Sequence, residues 1–358
     1  MSSIIGENIQ ISLFGESHGP LVGATINGLE AGIKINEEFI KHQMNLRQAN
    51  DELSTSRKEL DEVKIVSGVY NGYTTGSPLT VIIENKNVNS NDYPKMFRPS
   101  HADYSAELKY RGYQDYRGGG HFSGRLTAPL VALGSIAIKV LENKGIRIGS
   151  HIKSIHYVED DLIDYTNLDS YFNYVNNELF PVLNLNSKEE MKKEILKAKE
   201  DLDSVGGVLE TVIKVVPAIG EPFFNSLESK ISQYVFSIPA VKGIEFGLGF
   251  DYAKYSGKEV NDELVYDGSV RTLTNNNGGI NGGISNGEPI VFRTVIKPTP
   301  SIASTQRSIN ELNENITLSI KGRHDPCIVR RARVVVDSLV ALALLDLISL
   351  NEAKKWMV

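Results

Sequence analysis

The chain has 358 residues, 41% hydrophobic and 23% charged, with a formal net charge of −6. That length can bury a core as one large domain or two average ones. The acidic balance argues against non-specific nucleic-acid binding, which needs a basic face. A single cysteine, Cys327, excludes an intrachain disulfide and a cysteine-based zinc cluster, and reads as a buried small hydrophobe.

Taken in chain order, the N-terminus carries neither a basic n-region nor a long apolar h-region. A strand-like run, Ile9–Phe14, leads into Gly15-Glu16-Ser17-His18-Gly19. Glu62–Tyr70 and Pro78–Glu84 read as neighbouring strands joined by the turn Asn71–Gly76. Thr127 to Lys144 is apolar on most sides and predicts a helix, with Pro129 tolerated in its first turn and Gly145 as its stop. Ser187-Lys188-Glu189-Glu190 is a capping box opening an amphipathic helix that ends near Gly206-Gly207. Val208–Pro217 and Pro289–Lys297 alternate with period two, as half-buried strands do. From Pro326 a last apolar helix runs to about Leu350, with Asp325 as its N-cap and proline at N1. Asp337 and Asp346 interrupt it, so a membrane span is not expected, and a cytoplasmic protein is. Grouped strands with inserted long helices and no βαβ rhythm predict α+β layers. The expectation is one domain, 1–358, with a peripheral excursion at about 151–206.

The most informative stretch is Tyr116-Arg117-Gly118-Gly119-Gly120-His121-Phe122-Ser123-Gly124-Arg125. Three glycines let backbone approach a ligand and present bare N–H groups, and the flanking arginines and serine suit a phosphate. Upstream lies Arg98-Pro99-Ser100-His101-Ala102-Asp103-Tyr104, a titratable ring at the start of a helix. An anion-binding loop beside an acid–base group points to an enzyme acting on a phosphorylated small molecule.

Other segments are less specific. Gly15–Gly19 matches the G-x-S-x-G elbow of serine hydrolases, but so does Gly283–Gly287, and residue 17 leaves no room for the strands that precede an elbow. His18, His101, His121 and His324 sit in loops near glycine, arginine or aspartate, whereas His42, His151 and His156 read as structural. No HxH or HExxH spacing occurs, and no metal is expected. Asp325 serves equally as an N-cap or a catalytic group, two compatible roles at a helix end. Lys297-Pro298-Thr299-Pro300-Ser301 is a phosphate contact or a strand-ending loop. Asn275–Gly283 is a mobile loop or a close-approach surface for a flat ligand, the former reading being preferred.

Together the segments closely resemble chorismate synthase. Phe14–Gly19, Ser67-Gly68-Val69, Thr74-Thr75-Gly76, Arg98–Tyr104, Asp115–Gly120, Gly278–Gly287, Lys297-Pro298-Thr299 and Gly322–Cys327 occur in the family's order and spacing, from about residue 4 to 350. One such motif is weak; eight collinear ones are strong. The resemblance implies a β-α-β sandwich in which antiparallel sheets enclose helices, and a homotetramer. It implies anti-1,4-elimination of phosphate from 5-enolpyruvylshikimate 3-phosphate to give chorismate, the last common step of aromatic amino acid biosynthesis. Reduced FMN is required without net redox change, and NADPH is the reductant that some members use themselves.

Carried over residue by residue, the family's catalytic histidines fall on His18 and His101. The resemblance makes His18 the proton donor to the leaving phosphate. His101 is placed near N1 and O2 of the flavin, and Asp325 near N5. Flavin contacts fall on His121, Phe122, Ser123, Gly282, Lys297, Pro298, Thr299, Pro300, Ser301 and Arg323, and more loosely on Pro239 and Ala240. Arg47, Arg57 and Arg125 are the expected substrate or NADP contacts. Two departures stand out. Many members have Arg-Ser-Ser where this chain has His121-Phe122-Ser123, and basic residues where it has Leu46 and Gln48. The alternatives are a flavin- or phosphate-binding scaffold without efficient turnover and, more distantly, a serine hydrolase acting through Ser17.

Overall fold

A computed structural model describes residues 3–48, 53–54, 61–86, 95–215, 218–320, 325–355 and 357. Its framework is two five-stranded antiparallel sheets with helices between them. The first sheet runs, in spatial order, Ile4–Ile5, Gln10–Gly15, Leu21–Asn27, Leu79–Glu84 and Lys64–Ser67. The second runs Val241–Phe246, Ile290–Ile296, Gly207–Lys214, Arg147–Ile155 and Val158–Glu159. In Leu79–Glu84 the residues Leu79, Val81 and Ile83 are buried and Thr80 and Ile82 only partly so. The one-sided alternation expected of 208–217 fails, Leu209–Ile213 all being buried because the strand is covered on both faces.

Three helices pack on one another, Glu37–Gln48, Thr127–Glu142 and Val329–Lys355, the last two lying between the sheets. The second packs on strands Leu21–Asn27 and Leu79–Glu84 of the first sheet, and the third on strands Arg147–Ile155 and Gly207–Lys214 of the other. A helix covered on both sides has to be apolar all round, which is the pattern both sequences show. Gly134 lets the two cross closely, since a Cβ there would overlap Ser338. Both are long and apolar enough to cross a membrane, but 83% of each apolar window is buried inside the protein, as in a core helix.

The acidic interruptions of the last helix are tied down rather than disruptive. Asp337 pairs with Arg333 at 3.2 Å and accepts from Ser150, and Asp346 accepts from the backbone N–H groups of Glu7, Asn8 and Ile9. Its carboxylate fixes the entry of the chain into the first sheet.

Several boundaries differ from expectation. The last helix begins at Val329 rather than Pro326 and runs to Lys355, so Asp325 is not its N-cap. Asn184 caps the helix Leu185–Glu200, accepting from the N–H groups of Asn186 and Ser187; Ser187 lies inside it. The expected excursion at 151 cuts through the strand Arg147–Ile155. The helices Leu168–Val175 and Leu185–Glu200 that follow pack back onto that strand, and Phe180, Val182, Met191 and Ile195 join the main core.

Candidate active site

The glycine run at 118–120 closes a tight turn in which all three residues have positive φ (58°, 85° and 52°). Side-chain-bearing residues adopt that backbone at a cost, and here the space is also taken. A Cβ on Gly118 would overlap Cε1 and Nδ1 of His18, and one on Gly119 would stand 3.1 Å from Cε1 of His101. Both imidazoles therefore lie against adjacent glycines of one turn. Ser17 N–H donates to Gly120 O at 3.0 Å, and His121 Nδ1 donates to Gly15 O at 2.9 Å, so the His18 loop and the turn are stitched together.

His18 is 6% exposed. Its loop is closed by Asn85, whose Nδ2 donates to Glu16 O (3.0 Å) and Gly19 O (2.8 Å). Asn85 is in turn fixed by Arg125, whose Nε donates to its Oδ1 at 3.1 Å. Arg125 and Arg47 share one buried carboxylate, Asp61. Arg47, 4% exposed, also donates to Thr127 Oγ1 (3.0 Å) and Gly124 O (2.9 Å). Arg47 and Arg125, expected as substrate or NADP contacts, thus stand together on this carboxylate behind the His18 loop. Arg117, expected to offer itself to phosphate, is held by Asp115 at 2.9 Å. Leu46 belongs to the core.

His101 sits just before the helix Asp103–Tyr110, its Nδ1 2.6 Å from Asp103 Oδ1. Arg98 grips Asp103 with two N–H groups, both at 2.7 Å. Burial alone would raise the Asp103 carboxyl, but hydrogen bonds from Arg98 and His101 hold it well below the usual carboxylate range. Arg98 also reaches Ser301 Oγ at 3.3 Å, and Lys297 Nζ donates to Ser100 O at 2.6 Å. Lys297 N–H donates to Ala240 O at 2.9 Å. Ser100 and Ala240 both hold positive φ without being glycine (58° and 75°), backbone strain that gathers at functional sites. The segment 297–301, expected from the resemblance as a flavin contact, and Ala240, expected as one more loosely, are thus joined to the residues around His101. Pro239 is exposed beside Ala240.

Asp325 is 7% exposed and receives a hydrogen bond from Arg331, which also donates to Arg47 O. Its Oδ1 has no hydrogen-bond partner among the described residues. Phe122 lies 6.1 Å from the ring of Tyr110, and Ser123 Oγ accepts from Arg125 N–H. Gly282 stands on the turn of the hairpin Ile280–Asn281 and Ile284–Ser285, which is fastened to residues 218–227. The stretch 275–283 is no loose loop: Asp262 accepts from the N–H groups of Asn276 and Asn277, and Asn275 Oδ1 from Gly279 N–H. Arg57 and Arg323, with His324, lie outside the described residues.

The family model described as chorismate synthase matches residues 9–349. The chain belongs to the chorismate synthase family. It is 44% identical to the chorismate synthase of Korarchaeum cryptofilum over 96% of each chain, and 44% identical to that of Thermococcus kodakarensis over 99% of each. A crystal structure of chorismate synthase superimposes with a TM-score of 0.77 at 30% identity, covering 97% of this chain and 93% of the other. The chain is accordingly a carbon–oxygen lyase of the shikimate pathway, and the sandwich of antiparallel sheets around helices is the family's fold.

Asp103, Asn85 and Asp61 escaped the sequence reading. Asp103 had a signal, standing two residues after His101. Asp61 and Asn85 had none, because only the pairing of the first sheet brings them to Arg125.

Proposed function

We propose that the elimination of phosphate from 5-enolpyruvylshikimate 3-phosphate takes place at the turn 118–120, with His18 and His101 as its two proton-handling groups. The observation that carries this is the packing of both imidazoles on adjacent glycines of one turn, beside Lys297. Departure of an unprotonated phosphate is costly, and a proton delivered by His18 to the leaving oxygen removes that cost. His101 faces the neighbouring Gly119, where its imidazolium would stabilise an anionic ligand ring.

The residues fit a flat, anionic, phosphorylated cofactor. Lys297 donates to a neutral carbonyl and forms no ion pair among the described residues, and burial, with Lys242 nearby, lowers its pKa, as expected of an ammonium lacking an anion. Thr299 Oγ1 and Asp325 Oδ1 are buried without hydrogen-bond partners among the described residues, and Gly282 has open space where a Cβ would stand. Reduced FMN, when bound, supplies electron density and a proton-accepting ring nitrogen. Lys297, Pro298, Thr299, Pro300, Ser301, Ala240 and Gly282 would hold it, with Pro239, His121, Phe122, Ser123 and Arg323 completing the set. Asp325 would hold a proton through its unpartnered oxygen.

NADPH as electron source, a homotetramer and a cytoplasmic location complete the reading. Exposed Phe223, Phe224, Leu264, Tyr266 and Val270 support self-association. Against the binding-only alternative speaks the presence of His18, His101 and Asp325 together, since a pure binder has no need of all three.

The test is His18→Ala, His101→Ala and Asp325→Asn, each assayed anaerobically with chemically reduced FMN. Turnover should fall by about 10²–10⁴-fold for each histidine, the usual contribution of a positioned acid–base group. Near-wild-type turnover removes that residue from the mechanism.

A further inference from the structure

His101 cannot be read apart from Asp103. An ionised carboxylate only accepts hydrogen bonds, so the 2.6 Å contact to Oδ1 requires the proton of the neutral imidazole to sit on Nδ1. Arg98 NH2 also lies 3.1 Å from Nδ1, but that group donates to Asp103 Oδ1 at 2.7 Å, and the shorter, charge-assisted contact prevails. Nε2 is then left for chemistry, and Gly119 is what it faces: a Cβ there would be 3.4 Å from Nε2. Asp103 itself is almost enclosed, its side chain 9% exposed, so solvent competes poorly for either contact.

We propose that Asp103 is a positioning residue for His101: clamped as an anion by Arg98, it fixes the imidazole proton on Nδ1 and presents Nε2 to the turn 118–120. Asp103 touches no reacting atom. Arg98 keeps it from taking the proton, so it orients the ring and stabilises the imidazolium without becoming an acid. The same Arg98 reaches Ser301, which ties the orientation of His101 to the segment 297–301. This role rests on the reading that His101 acts in the elimination.

The experiment is a double-mutant cycle on the full-length enzyme: wild type, Asp103→Asn, His101→Ala and the double variant, with Asp103→Glu alongside. Each is assayed anaerobically with reduced FMN for kcat, KM, FMN affinity and Tm. Asp103→Asn keeps the shape but can offer an N–H to Nδ1 and so favours the other tautomer. The expected result is a fall in kcat of about 10²-fold or more, as tautomer loss costs elsewhere, with FMN affinity changed less than about threefold. In the His101→Ala background the same change should cost under about threefold, because residues acting as a unit are non-additive. Asp103→Glu should recover part of the loss. Asp103→Asn turning over at the wild-type rate overturns the proposal. So does a loss that is fully additive with His101→Ala, or one matched by lost FMN binding. His101→Ala with wild-type turnover overturns the reading of His101 itself, and Asp103 falls with it. His101→Ala inactive with Asp103→Asn fully active overturns only the role of Asp103.

Discussion

His18 and Gly118 occupy one space: the imidazole lies where a side chain at 118 would begin. The glycine is therefore needed twice, for its backbone conformation (φ 58°) and for the volume it leaves to the ring. Gly118→Ala should displace the imidazole and cut kcat by about 10²-fold or more, the contribution of a positioned proton donor. The left-handed backbone alone costs only about 1–2 kcal/mol, so the variant should fold. Gly119→Ala, whose Cβ would stand 3.1 Å from His101, should be milder. Steady-state kinetics on the pair, with circular dichroism for folding, decide it; equal and small losses would show that neither ring depends on the turn.

Asp61 joins the two arginines behind the His18 loop. It accepts from both Arg47 and Arg125, and all three side chains are buried. Asp61→Asn leaves two guanidinium groups without their shared anion, and removing one partner of a buried ion pair costs about 3–5 kcal/mol. Urea denaturation should show a loss of that size. A change below about 1 kcal/mol would mean that the cluster is solvated in solution.

Asn85 offers a sharper separation of activity from stability. It closes the His18 loop through the carbonyls of Glu16 and Gly19. Asn85→Ala should lower Tm modestly, by the cost of stranding such groups, about 1–3 kcal/mol, while kcat falls about tenfold or more. Comparing kcat with KM tests it, because a loop that only binds substrate would move KM instead.

These relationships mark where the sequence was legible. Strand-like runs marked two long strands of each sheet but missed Leu21–Asn27, Arg147–Ile155 and Val241–Phe246. The all-apolar helices were recognisable because a helix enclosed by two sheets has no polar face to show. Glycine runs flagged the turn 118–120 through the backbone they permit. What could not be seen was the use of the arginines. Arg47, Arg117 and Arg125 look alike as free cations, and only folding brings Asp61 to two of them; the local partner of Arg117, Asp115, was in view but unread. Helix starts were also misplaced: Asp325-Pro326 has the form of a cap, yet the carboxylate is drawn to Arg331, and the helix waits until Val329.

His151 gives the fold a pH dependence of its own. It is fully buried in the second sheet, and burial, reinforced by Lys153, pushes its pKa down to about 3. Carboxylates of Asp160 and Glu210 lie at 3.8 and 3.9 Å, but these are beyond hydrogen-bond reach, and burial pushes Glu210 up toward its neutral form. An ordinary histidine titrates near pH 6.5, so between about pH 3 and 6.5 the unfolded chain binds the extra proton. Stability from this group is complete above pH 6.5 and is lost as pH falls through that window, by about 1.4 kcal/mol per pH unit. His151→Gln should flatten the slope of unfolding free energy against pH between 6 and 4 by about that amount. Parallel slopes would show that His151 is protonated in the fold.

The most direct measurement is anaerobic turnover of 5-enolpyruvylshikimate 3-phosphate by the wild-type enzyme with chemically reduced FMN, following chorismate absorbance and phosphate release together. Equimolar chorismate and phosphate, with no net oxidation of the flavin, is the predicted result. Phosphate without chorismate, or flavin binding with neither product, would contradict an elimination at the turn shared by His18 and His101.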